Sequence, residues 1–67
     1  MKYKVKEVIT SPKGRITAET VFDSYNDAIE ELTECFNNRD KTGTTELMFI
    51  GIEDGIAVYT KTIYRRE

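Results

Sequence analysis

A β-hairpin is written into ELMFIGIEDGIAVY, residues 46–59, where Asp54-Gly55 is a strong two-residue type I′ turn signal. A strand that covers a small core on one side alternates apolar and polar residues. Here Leu47, Met48, Phe49, Ile50 and Ile52 leave almost no polar gap. With Glu53 opposite Ile56, the expected register sets Ile52 against Ala57, Ile50 against Tyr59 and Met48 against Lys61. The other face pairs Gly51 with Val58, Phe49 with Thr60 and Leu47 with Thr62. One face then carries Leu47, Phe49, Ile56, Val58 and Tyr64; the other carries Met48, Ile50, Ile52, Tyr59 and Ile63.

The preceding residues supply three further elements. Lys2–Thr10 alternate, with Tyr3, Val5 and Ile9 on one side and Lys2, Lys4 and Lys6 on the other. Pro12 and Gly14 in SPKG suit a tight turn. The return strand, from about Arg15 to Phe22, sets Ile16, Ala18 and Phe22 against Thr17, Glu19 and Val21. Pairing Ile9 with Ile16 brings Tyr3 to Phe22 and Lys6 to Glu19. Ser24 can cap a helix by accepting from the backbone N–H of Asp27. Tyr25, Ala28, Ile29, Leu32, Cys35 and Phe36 then form one apolar stripe at helical period, ending near Asn37–Asn38. NNRDKTG reads as a loop.

The expected fold class is therefore α+β, one domain over residues 1–67 in the order β-β-α-β-β, with a four-stranded, mainly antiparallel sheet and one helix packed on one face. A chain of 67 residues buries only about 60% of its unfolded surface and needs added support. A single cysteine and no histidine leave neither a disulfide nor a zinc site to provide it. One helix covers one sheet face. With Leu47, Phe49, Val58 and Tyr3 toward the helix, the other face exposes Met48, Ile50, Ile52, Tyr59 and Ile63 as the expected protein interface. Its cover is expected to be a second copy of the chain, face to face. The alternatives are the terminal strand or the NNRDKTG loop folded over it, and a different protein.

Charge placement suggests two further surfaces. Lys2, Lys4, Lys6, Lys61, Arg65 and Arg66, with Tyr59 and Tyr64 nearby, are what a single-stranded nucleic-acid platform uses, cations for phosphates and rings for bases. A net charge of −2 argues against it, and lysines also protect a strand edge from aggregation. Asp27, Glu30, Glu31 and Glu34 share the outward helix face as an acidic docking surface or a solvated one.

Catalysis is not expected. There is no histidine, Asp54 is accounted for by its turn, Cys35 lies on the apolar stripe, and no glycine-rich phosphate loop occurs. No metal and no cofactor is expected. No stretch approaches the ~20 apolar residues of a membrane span, and one free thiol suits a reducing, cytoplasmic setting. Phe22, Ser24, Asp27 and Ala28 in TVFDSYNDAIEEL resemble the strand-to-helix junction of arm-type DNA-binding domains in phage integrases, over about a fifth of the chain. The two long strands after the helix depart from that pattern. The function expected is a non-catalytic protein-binding or regulatory module, homodimeric, working through its open sheet face; the alternative is a small nucleic-acid-binding protein.

Overall fold

Two hairpins share one sheet because their inner strands, β1 (Lys2–Ser11) and β3 (Thr44–Glu53), pair antiparallel along most of their length. The computed structural model describes residues 1–66. β2 (Gly14–Phe22) and β4 (Ile56–Arg65) are the edges, in the order β2-β1-β3-β4. The helix α1 (Tyr25–Asn37) crosses the face of β1 with its flanks over β2 and β3. The architecture is the expected antiparallel α+β sheet with a helix on one face.

Local chemistry accounts for the elements. The β1–β2 register pairs Ile9 with Ile16, Lys6 with Glu19 and Tyr3 with Phe22, as alternation predicts. Asp54 and Gly55 both take positive φ, 53° and 77°, the signature of a type I′ turn. Ser24 Oγ accepts from the Asp27 N–H at 3.3 Å and starts α1. The expected loop after α1 contains a further helical turn, α2 (Arg39–Thr42). Asn38 ends one helix and begins the next, its carbonyl accepting from the Thr42 N–H at 3.1 Å, and Gly43 closes the turn in the left-handed region. Arg39 compensates for the lack of a basic residue in the last turn of α1. It donates to the Phe36 carbonyl at 2.7 Å and lies 4.0 Å over the Phe36 ring.

The core is Val5 on β1, Ala28 and Leu32 on α1, and Leu47 and Phe49 on β3. Thr44 is the one buried polar residue among those described. Its hydroxyl donates to the Glu7 carboxylate and sits 2.7 Å from that of Thr42, so its burial leaves no polar group unpaired.

The second hairpin corrects the expected register. Glu53–Ile56 and Ile52–Ala57 pair as predicted, but Gly51 then faces Tyr59, leaving Val58 as an extra residue in β4. A second shift makes Ile63 extra, because Met48 faces Thr62 and Leu47 faces Tyr64. Each bulge moves the residues beyond it by one position relative to β3. Tyr59 and Ile63, expected beside Met48, Ile50 and Ile52, therefore lie on the helix side. Tyr59 stands opposite Gly51, 6.5 Å from the Phe49 ring, and Ile63 lies beside Leu32. Val58, expected toward the helix, sits in the first bulge and is exposed.

Candidate functional site

A helix with its side chains is about 10 Å across, and strands lie about 4.8 Å apart. α1 sits over β1, so it covers little of β4, two strands away, and meets it edge to face only near its end, where the Phe36 and Tyr64 rings lie 6.0 Å apart. Every β4 residue except Tyr64 is exposed. The result is a groove on the helix side, between α1 and β4, of about 410 Å³. Phe49, Leu32 and Gly51 form its floor; Tyr25 and Ile29 line one wall, and Tyr59 and Ile63 the other. A second lobe of about 350 Å³ continues it past Thr33 and Phe36.

The walls are aromatic and ordered by one another. Tyr3 and Phe49 stack at 6.0 Å, and Tyr25 meets both edge to face at 5.4 and 5.8 Å. Gly51 faces Tyr59 of the far wall, where a Cβ would make an ordinary contact, 3.4 Å from the Tyr59 Cβ. Tyr25 and Tyr59 remain 54% and 51% exposed, unlike the Phe49 ring between them. The one charged residue in the groove is Lys61, opposite Phe49, with no ion-pair partner among the described residues.

The other face of the sheet differs in chemistry. Met48, Ile50 and Ile52 lie there in one row, each half-buried. Lys6, Lys4 and Lys2 stand opposite them on β1; Thr62, Thr60 and Ala57 stand opposite them on β4. Lysine stems can lie along neighbouring apolar surface while their ammonium groups stay in water. The three apolar residues thus form a narrow strip between a cationic row and a largely hydroxylated one. No other element of the described residues lies over it.

Of the basic residues expected together, Lys2, Lys4, Lys6 and Arg65 share this face, whereas Lys61 lies in the groove and Arg66 pairs with Asp40 at 3.5 Å. Lys2 pairs with Asp23 at 2.6 Å, Lys4 with Glu19 at 3.6 Å and Arg65 with Glu46 at 2.9 Å. All seven aromatic residues, Tyr59 and Tyr64 included, are on the helix side. The cationic face therefore offers bases no ring to stack on. The acidic residues Asp27, Glu30, Glu31 and Glu34 all lie on α1, none in an ion pair among the described residues.

Cys35 lies beside this acidic face, its thiol 3.7 Å from Glu7 Oε1. Burial first, then the negative charges of Glu7 and Glu31, push its pKa from 9.0 up to about 11. Two pKa units leave roughly a hundredfold less thiolate at neutral pH. Modification by a disulfide reagent at pH 8 is therefore expected to be roughly a hundredfold slower than for free cysteine, and to recover in urea. A fast reaction in the folded protein would contradict the placement of Cys35.

No set of three His, Cys, Asp or Glu residues is arranged to hold a metal ion among the described residues. No helix among them is long and apolar enough to cross a membrane. Comparison of the chain with protein-family models, with curated proteins and with solved structures found no match to any of them.

Proposed function

We propose that this chain is a non-catalytic protein-binding module whose α1–β4 groove receives an amphipathic helix from another protein. The observation that carries this reading is the vacant second position in the helix layer. A sheet of four strands has room for two helices side by side, and the described residues supply one of that length. The groove accompanies α1 from Tyr25 to Phe36, about three turns at 1.5 Å per residue. A helix of that length with apolar residues at i, i+3, i+4 and i+7 suits such a floor. Lys61 favours a carboxylate on its flank. Tyrosine, exposed here at Tyr25 and Tyr59 on the two walls, is among the residue types that dominate binding energy at protein interfaces. The groove is a better candidate than the opposite face, where Met48, Ile50 and Ile52 lie between lysines and threonines.

The test is a titration of isotopically labelled protein with synthetic amphipathic helices, some flanked by glutamate and some by lysine. Amides of Ile29, Gly51, Tyr59 and Lys61 are expected to shift, with the glutamate-flanked set binding more tightly. Tyr59→Ala should weaken binding by tenfold or more, as loss of a central aromatic anchor does. Lys61→Glu should reverse the flank preference. Shifts confined to Met48, Ile50 and Ile52 would move the function to the other face.

A further inference from the structure

The two edges of the sheet are not alike. β4 is interrupted by bulges at Val58 and Ile63 and carries Lys61 within it, devices that stop an edge from pairing further. β2 has none of them. Gly14 to Val21 are all exposed, their pairing to β1 has no register shift, and no lysine or proline interrupts the strand.

The free hydrogen-bonding groups of β2 can be assigned. The Thr10 N–H donates to the Gly43 carbonyl, and the Val8 carbonyl accepts from the Thr45 hydroxyl, so both residues turn their backbone toward β3. In an antiparallel pair, residues directly opposite one another either bond mutually or both turn away. Arg15, opposite Thr10, and Thr17, opposite Val8, therefore turn their N–H and C=O groups outward, and so by alternation does Glu19. Arg15 has no carboxylate within ion-pair distance among the described residues.

We propose that β2 pairs antiparallel with β2 of a second copy of this chain, Thr17 against Thr17 of the partner subunit and Arg15 against Glu19 of the partner subunit, giving one continuous eight-stranded sheet. Charge selects this register. A two-fold axis at Thr17 forms the Arg15–Glu19 pair twice and places Ile16 against Ala18 of the partner subunit. An axis at Glu19 would oppose like charges, and an axis at Ile16 or Ala18 would leave Arg15 without a carboxylate opposite it. The same axis turns the outward N–H and C=O groups of Arg15, Thr17 and Glu19 toward one another, as a closely bonded pair requires. The two α1 helices lie on one side of the extended sheet, about 14 Å apart over β1 and its mate. At that separation they do not interlock, so the edge carries the association. The α1–β4 grooves stay free at the two far ends, which makes this dimer independent of the function proposed for them.

Sedimentation equilibrium across a wide concentration range tests this. The chain is expected at twice its 7.7 kDa mass. Arg15→Glu and Glu19→Arg are each expected to be monomeric, because each opposes like charges twice. Their equimolar mixture should return to twice the chain mass with one copy of each, and the double variant R15E/E19R should pair with itself. Thermal melts confirm that each single variant is folded. In a Cys35→Ser background, Thr17→Cys should cross-link on oxidation, since closely bonded antiparallel residues have Cα atoms about 5.5 Å apart, within disulfide reach. Thr20→Cys, roughly 20 Å from its own mate in this register, should not. A monomeric wild type, or a dimer indifferent to both charge reversals, would overturn the proposal.

Discussion

Leu47→Ala is expected to cost about 3–5 kcal/mol and to leave the chain largely unfolded at room temperature. Leu47 has no exposed surface and lies between Glu7 of β1 and Tyr64 of β4, in the cluster formed with Val5, Ala28, Leu32 and Phe49. Deleting its isobutyl group removes transfer free energy and leaves a cavity beneath α1 that β-strands hydrogen-bonded on both sides cannot close. A domain of this length has roughly 3–10 kcal/mol of stability, so the loss consumes most of it. Leu47→Met, which keeps the volume, should cost less than about 1.5 kcal/mol. Urea unfolding followed by circular dichroism distinguishes the two. A Leu47→Ala protein that unfolds within 1 kcal/mol of wild type would mean that the hydrophobic centre lies elsewhere.

The second large effect is at Gly43, where α2 hands the chain to β3. Its φ is +79°, and a Cβ built there would lie 3.1 Å from the Thr10 carbonyl oxygen, a backbone atom fixed in β1. Gly43→Ala combines left-handed strain of about 1–2 kcal/mol with a contact that β1 can relieve only by moving. The Thr10 N–H bond to the Gly43 carbonyl would be strained with it. About 2–4 kcal/mol is expected in total. Gly55 is the control: its φ is +77° and nothing lies within 4 Å of its would-be Cβ, so Gly55→Ala shows the backbone cost alone. Chemical denaturation of both variants separates the steric contribution. Equal losses would mean that Thr10 yields freely.

Where alternation and a turn signal agreed, the sequence was legible residue by residue. In β1 and β2 most side chains alternate in character, Glu7, Val8, Thr20 and Val21 being the exceptions, and a one-residue slip would expose Val5 and bury lysines. The α1 stripe and its Ser24 cap were equally plain. The β3–β4 hairpin was readable only at its tip. Beyond Ala57, Val58 and Tyr59 are both apolar, so alternation does not say which of them turns inward. The available signal was Gly51. A glycine within a strand can mark a bulge, and here one occurs beside it, with Val58 displaced and Tyr59 facing the glycine. The groove was not legible, because it depends on α1 settling over β1 while β4 takes the outer place. That lateral position follows from strand order, which no local pattern encodes.

Strand order also sets a schedule for biosynthesis. β1 is central in the sheet but is made well before β3, which must bond along its inner edge. At about 5–20 residues per second, β3 follows Leu32 by roughly one to four seconds on the ribosome. Until β3 is in place, β1, β2 and α1 can bury Val5, Ala28 and Leu32 only against one another, and the β1 groups that meet β3 in the sheet stay unpaired. The sheet closes only when Leu47 and Phe49 emerge, so this domain commits to its fold late in its own synthesis.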